Sequence, residues 1–404
     1  MIKSLRGMND ILNDDEYQRY TYFIKTATQI ATRYGFHFIE TPILEETALF
    51  KRSVGESSDI VGKEMYQFID KGENDVCMRP EGTAGVVRAF IQNKLDRAGG
   101  VYRYFYHGPM FRYERPQKGR LRQFHQFGCE SFGIESVHED ATIILMISDI
   151  LKALGIGYRL QLNSLGDQNC MPQYRDNLVS FIESVESDIC EDCQRRKTTN
   201  PIRVLDCKNE KCQSLYIKAP KLINSLCDGC QSDFDKLKEI LDRSKIEYEI
   251  DTNLVRGLDY YSKTAFEFVS DDIGSQSAIA GGGRYDRLVE FLDGRATPAV
   301  GFAMGIERLL ELIKMPPEKR NGYYIGAMDE EAVSLVMEIT HKKRSTKQVT
   351  CEYKSKNLKN HLKGADKVNA RFCCVIGTNE LENKTIWVKD LQTKTEEIIK
   401  LEDF

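Results

Sequence analysis

Two aromatic segments that flank a short basic turn constrain the fold of this chain more than any other feature. Val101–Phe111 and Leu121–Phe132 are both rich in β-prone residues, and the turn between them, Pro116–Gly119, is polar. This pattern predicts two antiparallel strands joined as a hairpin. Alternation with period two predicts that five side chains share one face of that hairpin: Arg112, Glu114, Arg120, Arg122 and Phe124.

The side chains of this face suit anionic and aromatic ligands. Arginine guanidinium groups match phosphates and carboxylates, and Phe124 offers a ring on which a base can stack. The alternative is a charged hairpin that only faces solvent. The aromatic residues interleaved with the arginines favour a binding role.

The length and composition exclude membrane, collagen-like and disordered proteins. A chain of 404 residues suggests two or three domains, and 41% hydrophobic with 29% charged residues is ordinary for a globular protein. No apolar run approaches the ~20 residues that cross a bilayer, and residues 1–10 resemble no secretory signal, so we expect a cytoplasmic protein. The net charge of −4 argues against a surface that is basic throughout, but it allows a local basic face.

The composition of the chain changes in two places. Ser187–Asp251 holds six cysteines and several polar helical pieces, which indicates an insertion. Lys314–Gly322 holds two adjacent prolines and four charged residues, which indicates a linker. Beyond it, the strands predicted at Tyr323–Ala327, Val349–Tyr353 and Phe372–Ile376 alternate with helices, and this order predicts a small α/β domain with a partly parallel sheet.

Four other segments carry residues suited to a binding site. Arg79–Thr83 places an acid and a hydroxyl around a glycine, which suits an ammonium group, although such a segment is more often only a turn. Leu254–Tyr261 places an arginine and two tyrosines around a glycine. Ala280–Asp286 lets the backbone approach a ligand closely, but it lacks the spacing of a P-loop or a dinucleotide-binding fingerprint. Gly301–Arg308 places an arginine on the first turns of a helix.

Together these segments resemble the histidyl-tRNA synthetases, a family of class II aminoacyl-tRNA synthetases, over nearly the whole chain. Three segments resemble the class-wide motifs 1, 2 and 3: Phe36–Phe50, Phe111–Phe124 and Gly301–Arg308. Two resemble segments that are specific to the histidine enzymes: Leu254–Tyr261 and Ala280–Asp286. Arg6–Asp10 resembles the opening of the family.

The resemblance implies a fold and an activity. We expect an α+β catalytic domain at residues 1–313, built on a mostly antiparallel sheet like that of class II synthetases, with a helical insertion at about 168–251. A linker at 314–322 and an α/β anticodon-binding domain at 323–404 follow it. The implied reaction joins histidine and ATP into histidyl-adenylate and then transfers the histidyl group to the 3′-terminal adenosine of tRNA(His). ATP is thus a substrate, and Mg²⁺ accompanies it, held mainly by phosphates and waters.

The resemblance also assigns residues to the activation step. Arg112 would bridge the α-phosphate of ATP and the carboxylate of histidine, and Arg256 would lie on the other side of the α-phosphate. These arginines are the expected catalytic residues, because the attack of one anion on another needs positioning and charge neutralisation. Glu114, Arg120, Phe124 and Arg308 complete the implied ATP-binding set, with Phe124 and Arg308 on the two faces of adenine.

A second set of residues is implied for histidine recognition. Glu130 and Tyr261 would contact the two imidazole nitrogens, and discrimination would be strong because a wrong ligand leaves buried polar groups unpaired. The α-amino group would be held by Glu81, Thr83 and Gln126. For each residue the alternative is a structural hydrogen bond. The whole set expected at histidine is Glu81, Gly82, Thr83, Arg112, Gln126, Glu130, Arg256, Tyr260 and Tyr261.

Transfer RNA and a second subunit are the implied macromolecular partners. Arg115 and Gln117, at the tip of the hairpin, would touch the acceptor end of tRNA(His). A basic stretch that includes Lys359, Lys363 and Lys367 would face tRNA phosphates in the C-terminal domain. Motif 1 forms a two-fold interface in class II enzymes, so we expect a homodimer.

Two cysteine pairs in the insertion suggest a metal site from their spacing alone. Cys190 and Cys193 form one Cys-x-x-Cys pair, and Cys227 and Cys230 form another. Four converging thiolates suit a tetrahedral zinc ion, which would stabilise an insertion with little core of its own. Cys170 is expected to be an ordinary buried thiol. The alternative is that all these cysteines are reduced and bind no metal, because the family's catalysis needs no zinc.

Three rival interpretations stay open on the sequence. In some bacteria, an inactive paralogue of this family is the regulatory subunit of ATP phosphoribosyltransferase, but it lacks an anticodon-binding module, whereas this chain continues through residues 323–404. A tRNA-binding sensor module and a class II enzyme for another amino acid are the other two. An ATP–pyrophosphate exchange assay with a panel of amino acids separates them.

Overall fold

The two aromatic segments pair side by side in the main sheet of the larger of two units in the computed structural model of the protein. The structure describes residues 2–12, 14–55, 58, 60–207, 209–255, 258, 260–273, 278–316 and 319–404. The chain divides into two compact units, Met1–Lys314 and Met315–Phe404. No described helix is long and apolar enough to cross a membrane.

The first unit is built on a large twisted sheet. Its strands are β1 (His37–Phe38), β2 (Leu44–Glu46), β3 (Tyr66–Ile69), β4 (Asp75–Met78), β5 (Tyr102–Phe111), β6 (Gln123–Phe132), β7 (Arg159–Ser164), β8 (Glu249–Ile250), β9 (Ser262–Val269), β10 (Ala278–Arg284) and β11 (Ala299–Gly305). Within the described ranges, eight strands form one sheet in the order β1-β5-β6-β11-β10-β9-β7-β8, while β2, β4 and β3 form a small antiparallel sheet. The five central pairings of the large sheet are antiparallel, and the edge strands β1 and β8 pair in parallel. The predicted, mostly antiparallel sheet is confirmed.

Helices cover this sheet and form the insertion. They are α1 (Asp14–Arg33), α2 (Thr47–Val54), α3 (Thr83–Gln92), α4 (Leu95–Ala98), α5 (Val137–Ala153), α6 (Met171–Ser184), α7 (Glu191–Thr199), α8 (Glu210–Tyr216), α9 (Asp228–Arg243), α10 (Leu288–Phe291) and α11 (Ile306–Leu312). Helix α1 buries Phe23, Ala27 and Ile30, which recur every three or four residues and therefore share one face. Helix α5 is apolar nearly all round and is buried accordingly.

The basic turn between β5 and β6 is longer than the sequence pattern predicted. The regular pairing of β5 with β6 ends at Phe111 and Gln123. Residues 112–122 form a loop that contains an isolated bridge between Gln117 and Arg120. The prediction that the polar set lies on two strands is therefore wrong. Arg122 still accepts a backbone hydrogen bond from Arg112 at 2.9 Å, but its own N–H donates to the Gly7 carbonyl and its guanidinium lies over the Tyr113 ring, 3.8 Å from the centroid.

The insertion has a hydrophobic cluster of its own. Helices α6 to α9 and the short 3₁₀ turns between them enclose Tyr174, Leu178, Ile182, Val204 and Tyr216. The same cluster also buries five cysteines: Cys170, Cys193, Cys207, Cys212 and Cys230. The predicted helical insertion is confirmed, and thiols make up an unusual share of its core.

The second unit is a five-stranded α/β domain. Its elements are β12 (Tyr323–Ala327), α12 (Val333–Arg344), β13 (Val349–Cys351), α13 (Leu358–Lys367), β14 (Phe372–Ile376), α14 (Thr378–Asn383), β15 (Thr385–Asp390) and β16 (Glu396–Lys400). In the order β13-β12-β14-β15-β16, the first two pairings are parallel and the last two antiparallel. The predicted α/β domain with a partly parallel sheet is confirmed, and the terminal hairpin of β15 and β16 is an addition to it.

A buried ion pair joins the glycine-rich strand β10 to helix α5. Arg284 is 1% exposed, and its Nε lies 3.1 Å from each carboxylate oxygen of Asp140, which is fully buried. The same guanidinium donates to the Ile134 carbonyl and to Asp286, both at 3.0 Å. Arg284 therefore stabilises the sheet, although it lies in a segment that resembles a histidine-specific motif.

Asp140→Ala should lower the free energy of unfolding by about 3–5 kcal/mol, because it leaves a buried guanidinium without its counter-charge. Asp293→Ala is the matched control. It removes the acid of an exposed pair with Arg52 and should cost no more than about 1 kcal/mol. Urea denaturation measures both variants, and equal losses would contradict the role assigned to the buried pair.

Candidate active site

A buried carboxyl group, that of Glu130, organises the centre of the sheet. Glu130 lies on β6 and is 1% exposed. Its Oε1 accepts hydrogen bonds from the hydroxyls of Thr83, at 2.7 Å, and Tyr106, at 3.2 Å. Its Oε2 accepts a short hydrogen bond from the Tyr285 hydroxyl. Burial raises the pKa of Glu130 to about 8, although the hydroxyl donors act in the opposite direction.

Glycines provide the space for this arrangement. A Cβ atom at Gly301, on the neighbouring strand β11, would lie 1.8 Å from Glu130 Oε2. Cβ atoms at Gly82 and Gly128 would lie 2.1 Å and 2.4 Å from the Tyr106 ring. All three contacts are with a packed aromatic ring or a buried carboxyl group, so even alanine would displace the site.

A second buried acid, Glu81, lies just before α3. Its carboxylate accepts hydrogen bonds from the backbone N–H groups of Thr83 and Ala84, at 2.7 Å and 2.9 Å. Burial raises the pKa of Glu81 above its usual range, although those N–H donors and the nearby Arg112 act in the opposite direction. Thr83 thus links the two acids, with its N–H bonded to one and its hydroxyl to the other. Two buried carboxyl groups so close together favour a ligand that donates protons or carries positive charge.

Three further predicted histidine-binding residues, Gln126, Tyr260 and Tyr261, are buried or half-buried in the same unit. Gln126 is on β6, and its buried Oε1 has no hydrogen-bond partner among the described residues. Tyr260 and Tyr261 pack with their ring centroids 4.7 Å apart, and Tyr260 also packs edge-on against Tyr285 at 5.6 Å. An unpaired buried acceptor and packed aromatic rings are each suited to a small polar ligand.

Arg112 connects the acid pocket to the loop between β5 and β6. Its Nε donates to the Pro80 carbonyl at 2.9 Å, immediately before Glu81. Its guanidinium lies over the Phe124 ring, 5.2 Å from the centroid, and its Nη1 is 4.0 Å from Glu114. These contacts fix the direction of the guanidinium before any substrate arrives.

Further charges of the loop are held by one another and by α11. Arg120 and Glu114 form a close ion pair. Arg308 donates from Nε to the Gly119 carbonyl at 2.9 Å and from Nη1 to the Ala278 carbonyl at 2.6 Å. Burial, with a contribution from Arg120, lowers the pKa of Arg308. A concentration of guanidinium groups in a partly buried place is suited to an anion.

The remaining predicted residues lie apart from this cluster or outside the description. Arg115 and Gln117 are exposed on the loop, and Gln117 makes the backbone bridge to Arg120. Arg256, the second arginine expected at the α-phosphate, lies outside the described residues.

The four cysteines predicted to share one zinc ion do not come together. Cys190 and Cys193 group with Cys207 and Cys212. Cys227 and Cys230 group instead with Asp167 and Cys170, so Cys170 is not an isolated buried thiol. The prediction failed because the two Cys-x-x-Cys pairs begin different helices, α7 and α9. Tertiary packing brings Cys207 and Cys212 to the first pair, and Asp167 and Cys170 to the second.

Two tyrosines of the site were not assigned a role from the sequence. Tyr285 lies inside the glycine-rich segment that was singled out, but the sequence does not tell which acid its hydroxyl contacts. Tyr106 pairs across the ladder with Gly128. A large ring opposite a glycine in two adjacent strands is the signal that could have identified it.

The chain matches models of two protein families. Residues 7–309 match "Histidyl-tRNA synthetase", and residues 319–404 match "Anticodon binding domain". The second match removes the support for an inactive paralogue without an anticodon-binding module.

Curated proteins and solved structures agree with these matches. The chain is 74% identical to a histidine–tRNA ligase of Sulfurimonas denitrificans, over 100% of both chains. It is 57% identical to a histidine–tRNA ligase of Campylobacter jejuni (strain RM1221), over 100% of this chain and 99% of the relative. The crystal structure of apo histidyl-tRNA synthetase of S. aureus matches with a TM-score of 0.83 and 36% identity, covering 100% of this chain and 98% of that one.

Glu130→Gln should remove a pH dependence of stability. In the folded protein the carboxyl group keeps its proton up to pH of about 8, its raised pKa, whereas in the unfolded chain it titrates near 4.5. The stabilisation from burying the neutral acid is therefore complete below pH 4.5 and is lost as the pH rises to 8.

Wild-type protein should accordingly lose about 2–4 kcal/mol of unfolding free energy, relative to the Gln variant, between pH 5 and pH 8. Urea denaturation of ligand-free protein at both pH values measures this difference. Parallel pH dependences of the two proteins would show that Glu130 is ionised throughout.

Proposed function

This chain belongs to the histidyl-tRNA synthetase family, and we propose that the site around Glu130 and Arg112 is where it activates histidine. The protein ligates histidine to tRNA(His) in two steps. ATP and histidine first give histidyl-adenylate and pyrophosphate, and the histidyl group then passes to the 3′-terminal adenosine. The observation that supports this location best is the pair of buried acids next to an anchored arginine, because histidine carries both kinds of charge.

The acid pocket binds the cationic part of histidine. Glu130 and Tyr261 contact the imidazole nitrogens, and Tyr260 lines the pocket. Glu81, Thr83 and the unpaired Oε1 of Gln126 hold the α-amino group. This assignment is supported by charge: an ammonium or imidazole N–H next to two buried carboxyl groups relieves the cost of ionising them.

Arg112 neutralises the anions that react. Its contacts with the Pro80 carbonyl, next to Glu81, and with the Phe124 ring support this role, because the histidine carboxylate would meet the α-phosphate at this border of the acid pocket. Such a preorganised donor stabilises the charge that develops on the phosphorus in the transition state. Arg256 supplies the second positive charge from the other side of the α-phosphate.

The loop between β5 and β6 and the start of α11 bind the rest of ATP. Phe124 and Arg308 enclose adenine, Glu114 accepts from its exocyclic amine, and Arg120 reaches the distal phosphates. Mg²⁺ enters with ATP and is held mainly by phosphate oxygens. Phosphate oxygens are the main ligands because the acids of the site already have partners: Glu81 and Glu130 are buried and hydrogen-bonded, and Glu114 is paired with Arg120.

The tRNA meets the protein at two places. Arg115 and Gln117, which are exposed on the loop, contact the acceptor end. In the anticodon-binding domain, Lys359, Lys363 and Lys367 are exposed on α13 at intervals of four residues, so they share one helix face that suits phosphates.

Histidine, and no other amino acid of a panel, should support ATP–pyrophosphate exchange by the wild-type protein. Arg112→Ala should lower this exchange by about 10²–10³-fold, because it removes a preorganised donor at the reacting phosphate. Arg175→Ala, an exposed arginine of α6, is the control and should leave exchange unchanged. Exchange that persists in Arg112→Ala would refute the catalytic assignment, and exchange with another amino acid would refute the specificity.

A homodimer and a cytoplasmic location complete the proposal. The segment that resembles motif 1 exposes three large apolar residues on and beside the edge strands β1 and β2: Phe38 is 50% exposed, Ile43 41% and Leu44 48%. An exposed apolar group of this kind at sheet edges supports a subunit interface. An enzyme of translation acts where ribosomes, tRNA and ATP are, which supports the cytoplasm.

Leu44→Asp should convert the dimer into a monomer, because it introduces a charge into the proposed apolar interface. Ile398→Asp is the matched control, since Ile398 is 65% exposed on β16 in the other unit, and it should not change the mass. Light scattering coupled to size-exclusion chromatography measures both. A wild-type monomer, or a Leu44→Asp protein with the mass of the wild-type dimer, would refute this interface.

A further inference from the structure

We propose that Cys190, Cys193, Cys207 and Cys212 bind one Zn²⁺ ion that stabilises the helical insertion. The proposal is independent of the aminoacylation site, because these residues lie in the separate hydrophobic cluster of α6 to α9. It replaces the ligand set that the sequence spacing suggested.

The geometry of the four sulfur atoms suits a tetrahedral metal. All four lie within 4.8 Å of one another. Zinc–sulfur bonds of about 2.3 Å in a tetrahedron place ligand sulfurs about 3.8 Å apart. Cys190 Sγ and Cys207 Sγ are separated by 3.8 Å, which is far longer than a disulfide bond, and all four cysteines are free thiols.

Backbone N–H groups point at these sulfurs. The N–H of Cys190 donates to Cys212 Sγ at 3.2 Å, and the N–H of Asn209 donates to Cys207 Sγ at 3.4 Å. Cys190 also occupies the N-cap position of α7, where the helix dipole favours negative charge. Such surroundings stabilise thiolates, the form in which cysteine binds zinc, and they resemble the hydrogen bonds that orient the ligands of metal sites.

The structure around the cluster gives the ion a role. Cys193 is the only residue that α7 buries among its described side chains, so this helix has almost no apolar contact with the rest of the insertion. The other two ligands lie just after the 3₁₀ turn Pro201–Asp206 and within α8. A zinc ion would therefore connect α7 to two short elements whose Val204 and Tyr216 already lie in the hydrophobic cluster. Binding releases the thiol protons and changes no oxidation state.

The second cysteine group is a weaker candidate for the same ion. It offers three thiols and Asp167, whose Oδ1 already accepts hydrogen bonds from the backbone N–H groups of Asn169 and Cys170, at 2.8 Å and 3.3 Å. A soft metal prefers the complete set of four sulfur ligands. This group provides the matched control, because Cys227 begins α9 as Cys190 begins α7 and the Cys-x-x-Cys spacing is the same.

The test is elemental analysis of full-length protein purified without chelator and without added zinc. Wild-type protein should contain about one zinc per chain. The double variant Cys190→Ser/Cys193→Ser should contain almost none, whereas Cys227→Ser/Cys230→Ser should keep the wild-type zinc. Zinc far below one per chain in the wild type would overturn the proposal, as would zinc that survives the first double variant and disappears in the second.

A second measurement uses the wild-type chain alone, so that it does not depend on the variants folding. Native protein, with and without prior removal of zinc by a chelator, is treated with an alkylating reagent, and the modified cysteines are mapped by peptide mass. Zinc should slow the alkylation of Cys190, Cys193, Cys207 and Cys212 relative to the metal-free protein, with Cys351 as an internal reference. Equal rates in the two samples, or a disulfide between any two of the four, would refute the site.

Discussion

The burial of one ionisable side chain, Glu130, determines how the catalytic unit is put together. A carboxyl group in the middle of a sheet is tolerated only if its oxygens are hydrogen-bonded, and three hydroxyls supply those bonds. Thr83 comes from the start of α3, Tyr106 from β5 and Tyr285 from the residue that follows β10. Elements that are far apart in the chain are thereby fixed around one polar centre. Strand β11 therefore requires glycine at position 301, because any Cβ atom there would collide with the carboxyl group.

The sequence predicted the parts of the fold that follow from local patterns. The strands predicted at Tyr323–Ala327 and Phe372–Ile376 are β12 and β14, because a short apolar run between polar segments is a local signature of a buried strand. The loop at 112–122 could not be predicted, because period-two alternation looks the same whether or not the strands continue. What ends the ladder is the competing bond from Arg122 to Gly7, a contact over more than a hundred residues of chain.

Long-range pairing also limits what the sequence says about the sites. Resemblance placed Glu81, Gln126 and Glu130 among the candidates. The structure links Glu81 and Glu130 through Thr83 and places Gln126 on the same strand as Glu130, but the resemblance could not tell that Tyr106 and Tyr285 hold Glu130 in place. The cysteines show the same limit. Spacing identifies a Cys-x-x-Cys pair, since both thiols lie on the first turn of one helix, but which two pairs meet depends on tertiary packing.

Charge is separated across the site in a way that a zwitterionic substrate requires. On one side, two acids are buried so deeply that their pKa values rise, so they attract protons and cationic groups. On the other side, Arg112, Arg120 and Arg308 are crowded enough that burial and mutual repulsion lower the pKa of Arg308, so they attract anions. Arg112 donates a hydrogen bond to the carbonyl of Pro80, the residue before Glu81. The basic side of the site therefore begins directly next to the acidic side. A molecule that joins an ammonium group to a carboxylate spans this border in only one direction, and its carboxylate is then directed toward the arginines where a phosphate would be bound. On the proposed assignment, the field that binds histidine therefore also orients it for the reaction.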